Sequence, residues 1–205
     1  MIEKLIFASI VFTGFSAIMN PIASISIFLA LTKDDNEEEV KKIALHSTLT
    51  ALLVVTTFSL IGHFLLSFFG VTFTALRLTG GILVGLIGYN MLQGKTSNDK
   101  QYKEEGSVAI TPLGIQLLAG PGVIITAMNF SVGGISNCII TILSFALLCV
   151  ITYFVFIFGE QIKAFVGTNV LKVITRMMGL ALAVIGMQMF LEGVYRAIKE
   201  FYAIL

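Results

Sequence analysis

Residues 16–26 read SAIMNPIASIS and place Asn20 and Pro21 inside a stretch with no charged side chain between Lys4 and Lys33. Such a run can cross a bilayer, which takes about 20 mostly apolar residues. Proline removes an amide donor, and its ring collides with the carbonyl four residues back, here that of Ala17. Asn20, just before it, is pushed out of helical geometry. In hydrocarbon, broken backbone survives only where protein or a polar cavity satisfies it. The stretch therefore predicts a membrane helix that stops and restarts in mid-span.

The rest of the chain carries the same signal. Apolar residues make up 57% of the 205 and charged residues 12%, with a mean hydropathy of +0.96. Soluble domains carry about 25% charged residues, so this is a chain of the bilayer. A net charge of +1, with basic residues scattered singly or in pairs, gives no surface for a nucleic acid. Cys138 and Cys149 share one apolar stretch, where helical geometry separates them by about 16 Å, too far to bridge. The amino terminus has one lysine before an apolar run, as a signal peptide does. No convincing small-x-small cleavage site follows and the run continues to Leu31, so it is read as a retained first span.

Six hydrophobic blocks meet the length requirement, at roughly 5–31, 43–69, 74–93, 108–130, 137–158 and 174–194. The expected fold is all-α and integral to the membrane, one transmembrane domain over 1–205. Three polar connections, KDDNEEEVKK, GKTSNDKQYKEEG and the mixed stretch from Gly159 to Thr175, alternate with two short uncharged ones. The polar connections and adjoining helix ends hold nine of the 13 Lys and Arg, and the opposite side holds Lys4, Arg77, Arg196 and Lys199. The positive-inside rule then puts both termini on the non-cytoplasmic side of the cell membrane. The acidic run before Val40 lacks the spacing of a calcium loop and reads as a solvated loop.

The two halves of the chain resemble each other. At an offset of 100, Ile10, Gly14, Pro21 and Ile25 match Ile110, Gly114, Pro121 and Ile125. At an offset of 99, Arg77, Gly80, Leu83, Leu92 and Gly94 match Arg176, Gly179, Leu182, Leu191 and Gly193. Repeat one covers 1–94 and repeat two 108–205, joined by a polar cytoplasmic linker at 95–107. Each half has three spans, an odd number, so the copies cross the membrane in opposite senses. A 3+3 inverted repeat with helices 1 and 4 broken near the midplane is the arrangement of many secondary transporters.

At each break a half-helix begins. Asn20 is a good N-cap and Pro21 a good first residue; Gly120, Pro121 and Gly122 repeat the pattern. The amides of Ile22, Ala23 and Ser24, and of Gly122, Val123 and Ile124, are expected to face a central site with the positive ends of the helix dipoles behind them. That suits a carboxylate, and the carbonyls before each break suit an ammonium group or a sodium ion. A plain proline kink would explain either break alone. Recurrence at matched positions favours a site. The middles of the spans hold no Asp, Glu, Lys or Arg, so a small zwitterion suits them better than a strongly charged substrate.

Other polar residues are candidates for support. Gln116 precedes the second break by five residues and is read as lining the site; Ser24, Ser26 and Thr126 follow the breaks and could hold substrate or sodium. Asn90 and Gln188 are read as joining helices. His46 and His63 are read as interfacial, and Gly81, Gly85 and Gly88 as a surface for close packing within one copy, with a homo-oligomer left open. HExxH and GxSxG are both absent, so the chain is not expected to be an enzyme, and no cofactor is expected beyond sodium or proton coupling.

NPIASISIFLALT, LRLTGGILVGLIGYNML, TPLGIQLLAGPGVI and RMMGLALAVIGMQMFLEG together resemble the MarC family of six-span membrane proteins, which includes the neutral amino acid transporters called SnatA. The resemblance implies ion-coupled transport of small neutral amino acids such as glycine, alanine and also serine or threonine, with Asn20, Pro21, Gly120, Pro121 and Gly122 as the site-forming breaks. Gln116 and Thr74 stand where relatives commonly have proline. An exporter of small metabolites or drugs is the alternative function.

Overall fold

The computed structural model describes residues 2–94 and 118–204, and the described residues are helical throughout, without strands. The linker 95–107, the first part of the expected fourth span and Gln116 lie outside the described residues, as do the side chains of Ser26 and His63. The helices are α1 (Ile2–Met19), α2 (Pro21–Leu31), α3 (Glu37–Phe68), α4 (Phe73–Leu92), α5 (Pro121–Phe130), α6 (Ile135–Ile157), α7 (Gly159–Val166) and α8 (Thr168–Ile204). Among the described residues, five helical segments are long and apolar enough to cross a membrane: Ile2–Ile25, Glu37–Gly62, Phe73–Leu92, Ile135–Ile157 and Asn169–Tyr202. Of the expected fourth span, the described part is the short apolar helix α5.

Two connections differ from expectation because local capping extends the helices. The acidic run expected as loop is loop only as far as Asn36. There a capping box starts α3, with Asn36 Oδ1 accepting from the Glu39 amide at 3.0 Å and Glu39 Oε2 accepting from the Asn36 amide at 3.3 Å. Glu37, Glu38 and Glu39 then occupy the first turn, where the helix dipole favours negative charge. The stretch from Gly159 contains α7, and Gly167, at φ 77°, turns the chain into α8. With 37 residues, α8 is about 55 Å long and extends past the expected span at both ends.

The packing brings distant parts of the sequence together. α4 lies antiparallel against α8, with Leu78 opposite Gly193, Gly81 opposite Phe190 and Gly88 opposite Ala183. Arg77 and Arg176 therefore stand at opposite ends of this pair. α3 packs on α6, α1 on α6, α3 on α5, α4 on α5 and α1 on α8. In the centre, Phe15 meets Phe145 edge to face at 4.9 Å, and Phe28 stacks on Phe156 at 4.2 Å. Leu53, Phe64, Leu143, Leu147 and Val184 point outward and are exposed. Such a surface would be a liability in water and is the expected lipid-facing side of a membrane bundle.

Candidate functional site

The first span breaks where the proline requires it. α1 ends at Met19, α2 begins at Pro21, and Asn20 between them adopts a left-handed backbone with φ 40° and ψ 71°. Asn20 is the one non-glycine residue with positive φ among the described residues, and Asn is among the few side chains that tolerate it. Its amide donates to the Ser16 carbonyl at 3.1 Å and ends α1. Its Oδ1 accepts from the Ala23 amide at 3.2 Å, and its carbonyl accepts from the Ser24 amide at 3.1 Å, which starts α2. Of the three amides expected to be open after this break, those of Ala23 and Ser24 are thus met by Asn20 itself, as N-capping dictates.

The second break is built differently. Gly120 has an extended backbone at φ −62° and ψ 170°, and its carbonyl accepts from the Ile124 amide at 3.1 Å. No side chain caps this helix, so the amides of Gly122 and Val123 receive no counterpart of Asn20 Oδ1. Pro21 is buried, whereas Pro121 is exposed.

The two breaks are brought close together. A Cβ on Gly122 would lie 2.9 Å from Ile87 Cδ1 and 3.6 Å from Ile18 Cγ2, two residues before Asn20. Met19, Leu118, Ala119 and Val123 share one buried cluster. Thr152 of α6 bonds the Leu148 carbonyl at 2.7 Å and lies 3.8 Å from Met19 Sδ. The polar side chains beside the breaks are buried: Asn20 and Ser24 are each 4% exposed and Thr126 is 1% exposed, while Pro121 is exposed and Gly120 half-buried.

Several buried polar atoms have no hydrogen-bond partner among the described residues. Asn20 Nδ2 and Ser16 Oγ lie at or one turn before the first break and Thr126 Oγ1 follows the second on α5, while Ser47 Oγ belongs to α3. Ser24 differs, because its hydroxyl reaches back across the break to the Met19 carbonyl at 3.3 Å. Ser16 and Ser47 are absent from the candidates drawn from sequence. Ser16 lies one turn before Asn20, which is a usable signal. Nothing in the sequence separates Ser47 from Thr48, whose hydroxyl bonds the Ala44 carbonyl at 2.9 Å.

The remaining candidates lie elsewhere. Asn90 is half-buried on α4. Gln188 is exposed and donates to Glu192 Oε1 at 3.3 Å, so it belongs to a polar cluster at one end of the bundle. There Arg77 donates from Nε to Asn129 Oδ1 at 2.7 Å and from Nη1 to Glu192 Oε2 at 2.8 Å, tying α4, α5 and α8 together. His46 Nδ1 lies 2.8 Å from the Lys42 carbonyl on the exposed side of α3. Among the described residues no group of His, Cys, Asp and Glu could hold a metal ion.

A family model described as "MarC family integral membrane protein" matches residues 5–198. The chain belongs to the MarC family. Among its relatives, the Bacillus subtilis membrane protein YvbG is 34% identical over 193 residues, covering 89% of this chain and 92% of the relative. A Pyrococcus horikoshii membrane protein is 34% identical over 197 residues, covering 95% and 97%. The Escherichia coli membrane protein YhcE is 29% identical over 195 residues, covering 89% of each. No solved structure matches. This MarC protein is accordingly a multi-pass integral membrane protein. Its Thr74, at a place where the resemblance suggests proline, uses the hydroxyl to donate to Glu200 Oε1 at 2.8 Å and anchors the extended end of α8.

Proposed function

We propose that this MarC protein is a secondary active transporter of small neutral amino acids, glycine and alanine first, working by alternating access at the two helix breaks and without covalent chemistry. One observation carries the reading. Two half-helix starts, at Asn20–Pro21 and Gly120–Pro121, lie close together beside a buried apolar cluster, where the Asn20 carboxamide holds an unpartnered donor. Half-helix starts offer donors and positive dipole ends to a carboxylate, and the carbonyls before them offer acceptors to an ammonium group or sodium. Sodium suits the site better than a proton relay, since the breaks present amides, carbonyls and hydroxyls and no ionisable side chain.

The helix pairing supports an inverted repeat as the frame for this motion. Taking α1–α2, α3 and α4 as one set, and α5, α6 and α8 as its copy, exchanging the sets relates the main observed pairs to one another, while α5–α6 and α1–α4 lack counterparts. The α1–α6 pair becomes α5–α3, and α4–α5 becomes α8–α1; α3–α6 and α4–α8 map onto themselves. Matched pairs of this kind allow one group of helices to rock against the other.

Purified protein in proteoliposomes should take up radiolabelled glycine and alanine saturably, driven by an inward sodium gradient. Gly122→Val, whose side chain would intrude between Ile87 and Ile18, should fold and lose uptake. Folded native protein that moves neither amino acid under sodium or proton gradients would overturn the reading and favour an exporter of other metabolites.

A further inference from the structure

We infer that the carboxamide of Asn20 is an anchor for the ligand's carboxylate, so that the anionic end of the ligand is met by this side chain at the start of α2. This rests on the transport reading above and adds to it the required chemical feature of the ligand and its direction in the site.

The carboxamide offers one acceptor and a pair of donors, and the structure uses only the acceptor. Because Oδ1 accepts from the Ala23 amide at 3.2 Å, the other terminal atom must be the nitrogen. That nitrogen has no acceptor among the described residues, although Asn20 is 4% exposed. Buried polar groups are ordinarily paired, so an unmet donor here calls for a partner that comes and goes.

Neither the backbone nor the cap requires Asn specifically. The left-handed conformation is easiest for glycine, and the equivalent position, Gly120, is extended at φ −62° and does not need it. Ser and Asp cap helix starts about as well as Asn. What Asn adds is an uncharged donor held at the helix start by its own capping bond. That donor, together with the positive end of α2, selects an acceptor that carries negative charge. Of the N-cap residues at the two breaks, Asn20 is the one whose side chain offers a donor, since Gly120 has no side chain; the Ser24 hydroxyl is engaged with the Met19 carbonyl. Asn20 itself is 4% exposed, with Met19 at 2% and Ile25 at 0%. The carboxylate therefore enters when the helices part and is enclosed when they return.

The test compares ligands on the native protein and one substitution in detergent micelles. Alanine, alaninamide and ethylamine compete against radiolabelled alanine; the last two lack the carboxylate. Asn20→Asp retains an acceptor for the Ala23 amide and so preserves the cap, while it replaces the donor by a negative charge. The expected result is native binding of alanine but of neither analogue. Asn20→Asp should remain helical by circular dichroism and bind alanine about ten- to a hundredfold more weakly, the range of a lost charged hydrogen bond. Native-level alanine binding by Asn20→Asp would overturn the assignment while leaving the transport reading intact. Ethylamine binding as tight as that of alanine would do the same without any variant, and would mark the partner of Nδ2 as water. Absence of alanine binding to the native protein would instead refute the transport reading itself.

Discussion

Thr126 and Thr152 show how differently the same side chain can be used in one bundle. Thr152 bonds the carbonyl one turn earlier, as Thr48, Thr141 and Thr175 do, and such hydroxyls cost the membrane helix little. Thr126 is 1% exposed and its hydroxyl has no partner among the described residues. Replacing an unpaired buried hydroxyl by a methyl of similar shape removes an unmet polar group and leaves the packing in place. Thr126→Val should therefore leave thermal stability in detergent unchanged, or raise it by up to about 1 kcal/mol. A clear loss of stability, read from the unfolding midpoint, would mean that the hydroxyl has a structural partner. The same variant assayed for uptake reports separately on the site.

On the scale of an element, the glycines of α4 divide by what lies over them. A Cβ at Gly81 would lie 2.5 Å from the Phe190 amide nitrogen, and one at Gly88 would collide with that of Ala183; both obstacles are backbone and cannot swing aside. A Cβ at Gly85 would meet nothing within 4 Å, although Gly85 completes the GxxxG frame with Gly81. The frame thus serves contact between α4 and α8 inside one copy, and its second glycine matters through its backbone, which Gly186 closely approaches. Gly88→Ala should destabilise the protein by about 1–3 kcal/mol, the usual cost of overpacking. Gly85→Ala should be neutral, or stabilising by up to about 1 kcal/mol through helix propensity. Unfolding midpoints of the two variants check the contrast, and equal effects would contradict the packing described.

For the whole molecule, the distribution of lysine and arginine along the sequence predicts an orientation that labelling can check. In sequence, nine of the 13 basic residues fall in the three polar connections and adjoining helix ends, and the α5–α6 connection has none. With Cys138 and Cys149 replaced by alanine, single cysteines at the exposed positions Asp34 and Ser136 report on the two sides. A membrane-impermeant maleimide should label Ser136→Cys in intact cells and Asp34→Cys only after permeabilisation. The reverse pattern would invert the orientation and place the Arg77–Glu192 pair on the cytoplasmic side.

The sequence by itself determined the elements of this protein, because the features that make them are local. A bilayer demands long apolar helices, so the spans follow from composition; Pro21 and Pro121 each remove an amide donor, so the restarts follow from single residues. The ends of α3 and α8 were harder to read, since a capping box at Asn36 and a tertiary tie from Thr74 to Glu200 accompany helix running beyond the apolar stretches. Only the tertiary structure decided which polar groups near the breaks are already satisfied. Asn20 uses its own oxygen atoms to close the amides of Ala23 and Ser24, the Ser24 hydroxyl turns to Met19, and Asn20 Nδ2 and Thr126 Oγ1 remain unpaired. Gln188 likewise belongs to the Arg77 end and not to the breaks, because Glu192 draws it there. The physical reason is that hydrogen-bond satisfaction depends on what neighbouring helices and a single left-handed residue bring within about 3 Å, which residue type and spacing do not encode.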